Sequence, residues 1–473
     1  MGAELVGMNG VISNVINILS VTELGISTAI VYHLYGALAR KDEAEIASLM
    51  NLYRKAYHVF AVLVFAAGMA VLPFIHLFMK NNSYSLSYIR VLYAMWLVRT
   101  VLSYLLTYRK SLLIADQKEY IASITGLILN VVSYLAIILL VTWEQNYLLA
   151  LGIGTVTEVV LNIWISWYVE QKYPFLRQRR KEKSTSSLTK RIVRDLKSLF
   201  ISRISEKMLY CTDNLIISGF IGVGTVGRYA NYCMITQAIS NILTILANTI
   251  QPTVGDYFTE KNRQRNYEIL RQLTFGFFCI ASVVSVGLFS LITPFVRDIW
   301  LGPSYELGWG ITVFCIVVLL VRIMGLPLSL VMGVTGLFEK EKNVGASSAL
   351  LNLIVSLALV KPYGMAGVLL GTLLSYLLQI LYRYIIYFRD FLEMPGEALR
   401  YAQDIGEYLA VIAGEVLLMQ KIVPLIYGAG GMLLFCVCFL LCIAIPLLLD
   451  LVIFGRGWRL QSIVTMVKGM RKA

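Results

Sequence analysis

Six charged residues sit inside long apolar runs, where an uncompensated charge is expensive: Glu23, Arg99, Glu158, Asp213, Arg322 and Glu415. A charge at a bilayer centre costs about 2.5–3.5 kcal/mol on insertion scales, so each needs a partner or a wet cavity. An arginine fork suits phosphate or pyrophosphate, which it grips through two parallel hydrogen bonds. The competing reading of Arg99 and Arg322 is that each pairs with a buried carboxylate and ties helices together. Glu23 and Asp213 are candidates for binding a coupling H⁺ or Na⁺, because a desolvated carboxylate can exchange protons near neutrality. The alternative for both is a structural salt bridge. Arg203, Lys207, Tyr210, Asn214 and Ser218 fall at helical spacing on one stripe, flanked by Glu206 and Asp213, with Leu199, Ile201, Leu209 and Ile216 opposite. Such a stripe on a spanning helix should face a cavity rather than lipid.

Other chemistry is poorly supported. The seven cysteines lie in apolar runs without metal-ligand spacing and read as buried free thiols. His33, His58 and His76 are scattered singly, so no metal is expected. No nucleotide-binding loop is found, and no cofactor is implied. The N-terminus lacks the basic region of a signal peptide, and Val6 stands where a myristoylation site wants Ser or Thr.

The elements that must position these residues follow from composition. The chain of 473 residues is 58% hydrophobic and 15% charged, with mean hydropathy +0.72. A soluble domain runs about 25% charged, so a polytopic all-α membrane protein is expected. Apolar runs predict thirteen spans: 8–36, 56–79, 87–108, 120–143, 147–169, 197–220, 226–256, 270–296, 308–335, 344–360, 364–388, 405–427 and 430–455. Lys and Arg concentrate in one alternating set of loops. These hold Arg40, Lys41, Arg54 and Lys55; Arg109, Lys110 and Lys118; 171–196; Lys261 to Arg271; Lys340 and Lys342; Arg383, Arg389 and Arg400; and the tail 456–473. The opposite set offers Lys80, Arg297, Lys361 and Lys421, with Arg90 and Arg228 just inside their spans. The first set is therefore cytoplasmic, the C-terminus with it. The net charge of +13 reflects this bias rather than nucleic acid. Loop 171–196 and the tail should rest on anionic membrane lipids. Tyr53, Tyr84, Trp143, Trp167, Tyr168, Trp300, Trp309, Tyr387 and Trp458 read as an interfacial belt.

An internal repeat organises the spans. Gly2, Val6 and Gly7 match Gly222, Val226 and Gly227; Pro73-Phe74 matches Pro294-Phe295; Val98-Arg99 matches Val321-Arg322; Leu129-Asn130 matches Leu351-Asn352; Gly154-Thr155 matches Gly371-Thr372. Repeats in the same direction imply two lobes about an axis along the membrane normal, with a path between them. The pattern gives an N-lobe at 1–170, a basic loop at 171–196, a C-lobe at 197–390, a linker at 391–404, two additional helices at 405–455 and a basic tail at 456–473. The C-lobe opens with a span, 197–220, that has no counterpart before Gly2. The natural protein is therefore expected to begin about one span further upstream.

The opening Gly2-Ala-Glu-Leu-Val-Gly-Met-Asn-Gly10, the run from Ser20 containing Thr22-Glu23-Leu24-Gly25, the pair Asp213-Asn214 and the run Gly227-Arg-Tyr-Ala-Asn-Tyr232 resemble polysaccharide repeat-unit flippases of the Wzx type. These belong to the multidrug/oligosaccharidyl-lipid/polysaccharide (MOP) exporter superfamily. The resemblance implies a MATE-like fold, two lobes around a central cavity, and no enzyme activity. It implies transport of undecaprenyl-diphosphate-linked oligosaccharide across the cytoplasmic membrane by alternating access, driven by an H⁺ or Na⁺ gradient. Polymerase and chain-length proteins are its implied partners. Arg99 and Arg322, with the stripe Arg203, Lys207, Tyr210 and Asn214, would then hold the pyrophosphate, and Glu23 and Asp213 the ion. A peptidoglycan lipid-precursor flippase and a drug/cation antiporter of the same superfamily are the alternatives. A membrane glycosyltransferase is disfavoured because no outer loop is long enough for an acidic site.

Overall fold

In hydrocarbon a spanning segment must satisfy its backbone internally, so long apolar runs become helices. The computed structural model describes residues 2–20, 26–144, 146–177, 211–257, 262–335, 337–428 and 430–455. Among them, eleven helices are long and apolar enough to cross a membrane. The order is α1 (Ala3–Leu19), α2 (Ile26–Ala39), α3 (Glu43–Val71), α4 (Leu86–Thr107), α5 (Lys110–Ala115), α6 (Glu119–Glu144), α7 (Tyr147–Lys172), α8 (211–220), α9 (Val223–Tyr257), α10 (Arg263–Pro294), α11 (Trp309–Val334), α12 (Phe338–Tyr363), α13 (Met365–Ile385), α14 (Pro395–Tyr427) and α15 (Met432–Phe454). Leu127, Val131, Leu135, Ile138 and Trp143 of α6 are all exposed. That surface is the mark of a helix solvated by lipid rather than water. The chain is an integral multi-pass membrane protein.

The chain divides into two compact units, Met1–Val226 and Gly227–Ala473. In the first, α4 packs against α1, α3 and α7, and α6 against α7. Asp42 caps α3 by accepting from the Glu45 amide at 2.9 Å, and Asn146 caps α7 by accepting from the Leu148 amide at 3.0 Å. The end of α8 docks on the turn after α3: Lys80 Nζ donates to the Phe220 carbonyl at 3.1 Å and Asn81 Nδ2 to that of Ile221 at 3.2 Å. In the second unit, α10 packs against α11, α14 and α15, and α13 against α11 and α12. Phe275, Phe278, Tyr408 and Phe454 stack where α10, α14 and α15 meet. The contact of α12 with α13 is glycine-mediated, because a Cβ on Gly367 would strike the Leu359 carbonyl.

The repeat shows in the backbone. The Pro-Phe pair sits at the same point of both units, where a long helix leaves α geometry. Pro73-Phe74 lies in a 3₁₀ segment, Leu72–Phe78, and Phe295 opens a π segment, Phe295–Trp300. Proline removes one ladder hydrogen bond and crowds the preceding turn, so the pattern shifts there. The equivalent residues 98–99 and 321–322, 129–130 and 351–352, and 154–155 and 371–372 fall on α4 and α11, α6 and α12, and α7 and α13.

Several expectations need correcting. Span 8–36 is two helices, α1 and α2, with Ser20 closing the first. The run contains Ser20 and Gly25, poor helix formers, and 21–25 lie outside the described residues. Helices α3 and α14 begin at Glu43 and Pro395, well before the apolar runs at 56 and 405, because apolarity marks only the hydrocarbon stretch of a longer helix. Much of 391–404 is therefore helical. Tyr53 and Tyr387 are core rather than belt: Tyr53 donates to Tyr57 Oη at 3.0 Å and accepts from Ser111 Oγ at 2.9 Å, and Tyr387 donates to the Asn266 carbonyl at 3.2 Å. Trp143, Trp167, Trp300 and Trp309 are exposed, as a belt requires. None of the seven cysteines forms a disulfide among the described residues, and the expectation that all are buried holds for four: Cys233 and Cys279 are half-buried and Cys436 is exposed.

Candidate anion and ion sites

Arg99 and Arg322 occupy matching helices but different surroundings. On α4, Arg99 Nε donates to Glu158 Oε2 of α7 at 2.7 Å, and its guanidinium stands 5.3 Å from the Trp96 ring centroid. This is a tie between α4 and α7.

Arg322 stands 5.4 Å from the Tyr376 ring centroid. The offset that carries Gly154 onto Gly371 carries Glu158 onto Ser375, so the second unit has no carboxylate at the equivalent place. Instead Arg322 shares a cavity of about 110 Å³ with Arg383, Ser240, Thr244, Tyr376 and Gln379. Among the described residues its lining carries two guanidiniums and no acid. Three features build it. Gly325 allows α11 to approach α13, because a Cβ there would meet Ile380 at 2.9 Å. Pro327 interrupts the ladder of α11 one turn beyond Arg322. The π segment Ile386–Leu392 begins three residues after Arg383. The cavity has room for a phosphate-sized group, and its hydroxyls, amide and guanidiniums are the donors such an anion takes. Sequence reasoning assigned Arg383 to a cytoplasmic loop; its place on the same unit's α13, near Tyr376, was the available signal.

A second recess, of about 730 Å³, lies where α10 and α14 end and α11 begins. Trp309, Phe289, Gln420 and the pair Arg297–Asp298 line it. Arg297 Nε donates to Asp298 Oδ1 at 2.7 Å, and Tyr427 Oη donates to Asp298 Oδ2 at 3.2 Å. Flat rings beside fixed donors and acceptors can stack and hydrogen-bond a polyhydroxylated ligand.

Of the expected stripe, Arg203, Lys207 and Tyr210 lie outside the described residues, as does Glu23. Asp213 is buried on α8, and Asn214 Oδ1 is buried without a hydrogen bond. Ser218 is fully buried and donates to its own helix at Leu215 O, 3.0 Å, so the stripe ends sealed in protein. Outside the spans, Asp116 receives hydrogen bonds from Lys118 and Tyr173. Burial opposes ionisation there, but these bonds prevail and hold its carboxyl below the usual range.

A search of curated proteins finds no match. The chain is similar in fold to the lipid II flippase MurJ in an inward-closed conformation (TM-score 0.69, 15% identity, 96% of this chain and 93% of that one). It is similar also to a multidrug resistance MATE-family transporter of the MOP superfamily in an inward-facing conformation (TM-score 0.62, 14% identity, 83% of this chain and 91% of that one). These likenesses establish the MATE/MOP-like fold expected from the sequence. The model of the polysaccharide biosynthesis protein family matches residues 1–258, more than half the chain, and the chain therefore belongs to that family.

Proposed function

We propose that the protein is a flippase that moves a diphosphate-linked oligosaccharide on a polyprenyl carrier across the cytoplasmic membrane, by alternating access, for export of a surface polysaccharide. The observation that carries the reading is the cavity lined together by Arg322, Arg383, Ser240, Thr244 and Gln379, which brings two guanidiniums, two hydroxyls and an amide to one phosphate-sized space. A diphosphate head group cannot cross hydrocarbon without replacing its hydration, and paired guanidiniums are suited to do so. Arg99, engaged by Glu158, is assigned to holding α4 on α7 rather than to the anion. Asp213 and Glu23 are the candidates for H⁺ or Na⁺ coupling. Polymerase and chain-length proteins would act on the delivered product, and the C-terminus lies on the cytoplasmic side by charge bias. A drug antiporter fits poorly, because a cationic cavity repels cationic drugs.

Arg322→Ala and Arg383→Ala should each abolish surface polysaccharide while the protein remains in the membrane. Lysine at either site should restore part of the export, since a point charge lacks the planar fork. Normal polysaccharide from the double alanine variant would refute the assignment. Growth of cells depleted of their lipid II flippase, rescued by this protein, would move the substrate to the peptidoglycan precursor.

A further inference from the structure

Two acids on the last helices are buried and, among the described residues, have no cationic partner. Glu415 of α14 and Asp450 of α15 keep 3% and 4% of their surface exposed. Glu415 Oε2 accepts from Ser282 Oγ of α10 at 2.6 Å. Its Oε1 has no hydrogen-bond partner, and neither oxygen of Asp450 has one of good geometry. The carboxyls lie within each other's electrostatic reach, and Ser282 lies beside both. Cys279, one turn before Ser282, faces the same pair.

Among the described residues, no basic group is paired with Glu415 or Asp450. Asp450 is the sole charged residue of α15. On α10 and α14, Arg271 is held by Asp404 at 2.6 Å, three turns from Ser282 and Glu415 respectively, and in the π segment after α10 Arg297 is held by Asp298. Lys421 of α14 is exposed. The charged residue of α11 is Arg322, which lines the anion cavity. Among the described residues no three His, Cys, Asp or Glu side chains gather to hold a metal. Two adjacent carboxylates in hydrocarbon would add mutual repulsion to the cost of burying each charge. Protons remove both penalties, because a protonated carboxyl becomes a donor and its neighbour an acceptor.

We propose that Glu415, Asp450 and Ser282 form a proton-binding site between α10, α14 and α15, and that the α14–α15 pair docks fully on α10 only when the carboxyls are protonated. Each protonated carboxyl is neutral and can donate, and Ser282, which donates to Glu415 Oε2 at 2.6 Å, is placed to accept from the Asp450 hydroxyl. Raising the pH withdraws the proton to solvent and leaves like charges facing each other beneath the Phe275, Phe278, Tyr408 and Phe454 stack. The inference stands on these three helices and not on the flippase reading.

The test uses the full chain in lipid nanodiscs. Infrared difference spectra between about pH 5 and about pH 9 should show the carbonyl stretch of a protonated carboxyl in the wild type. Glu415→Gln with Asp450→Asn should remove it, and Glu415→Gln alone should reduce it while keeping the acceptor for Ser282. The wild-type unfolding temperature should fall as pH rises, and that of the double variant should not. A spectrum whose protonated-carboxyl band is unchanged in the double variant would overturn the proposal. So would a sodium-dependent rise in unfolding temperature, relative to choline, in the wild type alone, since the site would then hold a cation.

Discussion

Removing one side of the Arg271–Asp404 pair should cost the second unit more stability than removing both. Arg271 Nε and Nη2 meet Asp404 Oδ2 and Oδ1 at 2.6 and 3.0 Å. The Asp404 side chain is 9% exposed and that of Arg271 21%, so solvent screens the pair little. Breaking a buried pair by deleting one partner costs about 3–5 kcal/mol, because the other charge stays buried alone. The residual exposure of Arg271 places Arg271→Met near the lower end, roughly 3 kcal/mol, or about a hundredfold in the folded population. Replacing a whole pair by apolar groups of similar volume is often neutral, so Arg271→Met with Asp404→Leu should recover most of the loss. Equilibrium unfolding by SDS titration in mixed micelles reads both variants. A cost below about 1 kcal/mol for Arg271→Met would refute the reasoning that the interior around Asp404 is poorly screened. A double variant no better than the single one would refute it equally.

Arg99→Ala should lower the amount of folded protein, and adding Glu158→Gln should restore part of it, measured by fluorescence-detected size exclusion; full export by Arg99→Gln/Glu158→Gln would confirm a structural tie. Asp116→Asn should destabilise at neutral pH. The folded carboxyl ionises more readily than the unfolded one, so its contribution is complete above the ordinary carboxylate range and fades as the pH falls below it. The variant and wild-type unfolding curves should therefore converge in acid, and a constant gap would exclude the linkage. Gly371→Ala should cost about 1–3 kcal/mol by overpacking, since its Cβ would stand 3.0 Å from the Asn352 carbonyl and against Ser356 Oγ; an unchanged unfolding temperature would show that α12 can yield.

Apolarity alone located eleven of the thirteen expected spans, because the bilayer demands about twenty residues of it regardless of what the helix packs against. It could not show helices extending past the membrane, as α3 and α14 do, nor the π segments after Pro294 and Ile385, whose cause is local backbone competition. Charge pattern made Arg99, Arg322, Glu158 and Glu415 conspicuous. Their pairings were illegible, because partners lie 59 residues away for Arg99 and 133 for Glu415, and one sequence carries no contact information. Arg383 reads in the sequence as one more cytoplasmic charge; its place in the cavity lining depends on α13 remaining helical to Ile385. Tyr53 and Tyr387 were misplaced because amphipathic rings suit both an interface and a core with hydroxyl partners.

The two units preserve backbone features more faithfully than electrostatics. The Pro-Phe exits, the arginine on α4 and α11 and the Gly-Thr pair recur at equivalent points. The residue facing the arginine does not: Glu158 in the first unit is replaced by Ser375 in the second, where the hydroxyl donates to the Ser348 and Gly371 carbonyls at 2.9 Å. A carboxylate at that place makes the arginine structural. Without it, the same helix geometry leaves a guanidinium beside a cavity, and Arg383 adds a second one. The duplicated scaffold thus carries an ion pair between helices at this place in the first unit and a hydroxyl bonded to backbone carbonyls in the second. The halves differ in the charge of the residue at that place, which a repeat in the apolar pattern does not reveal.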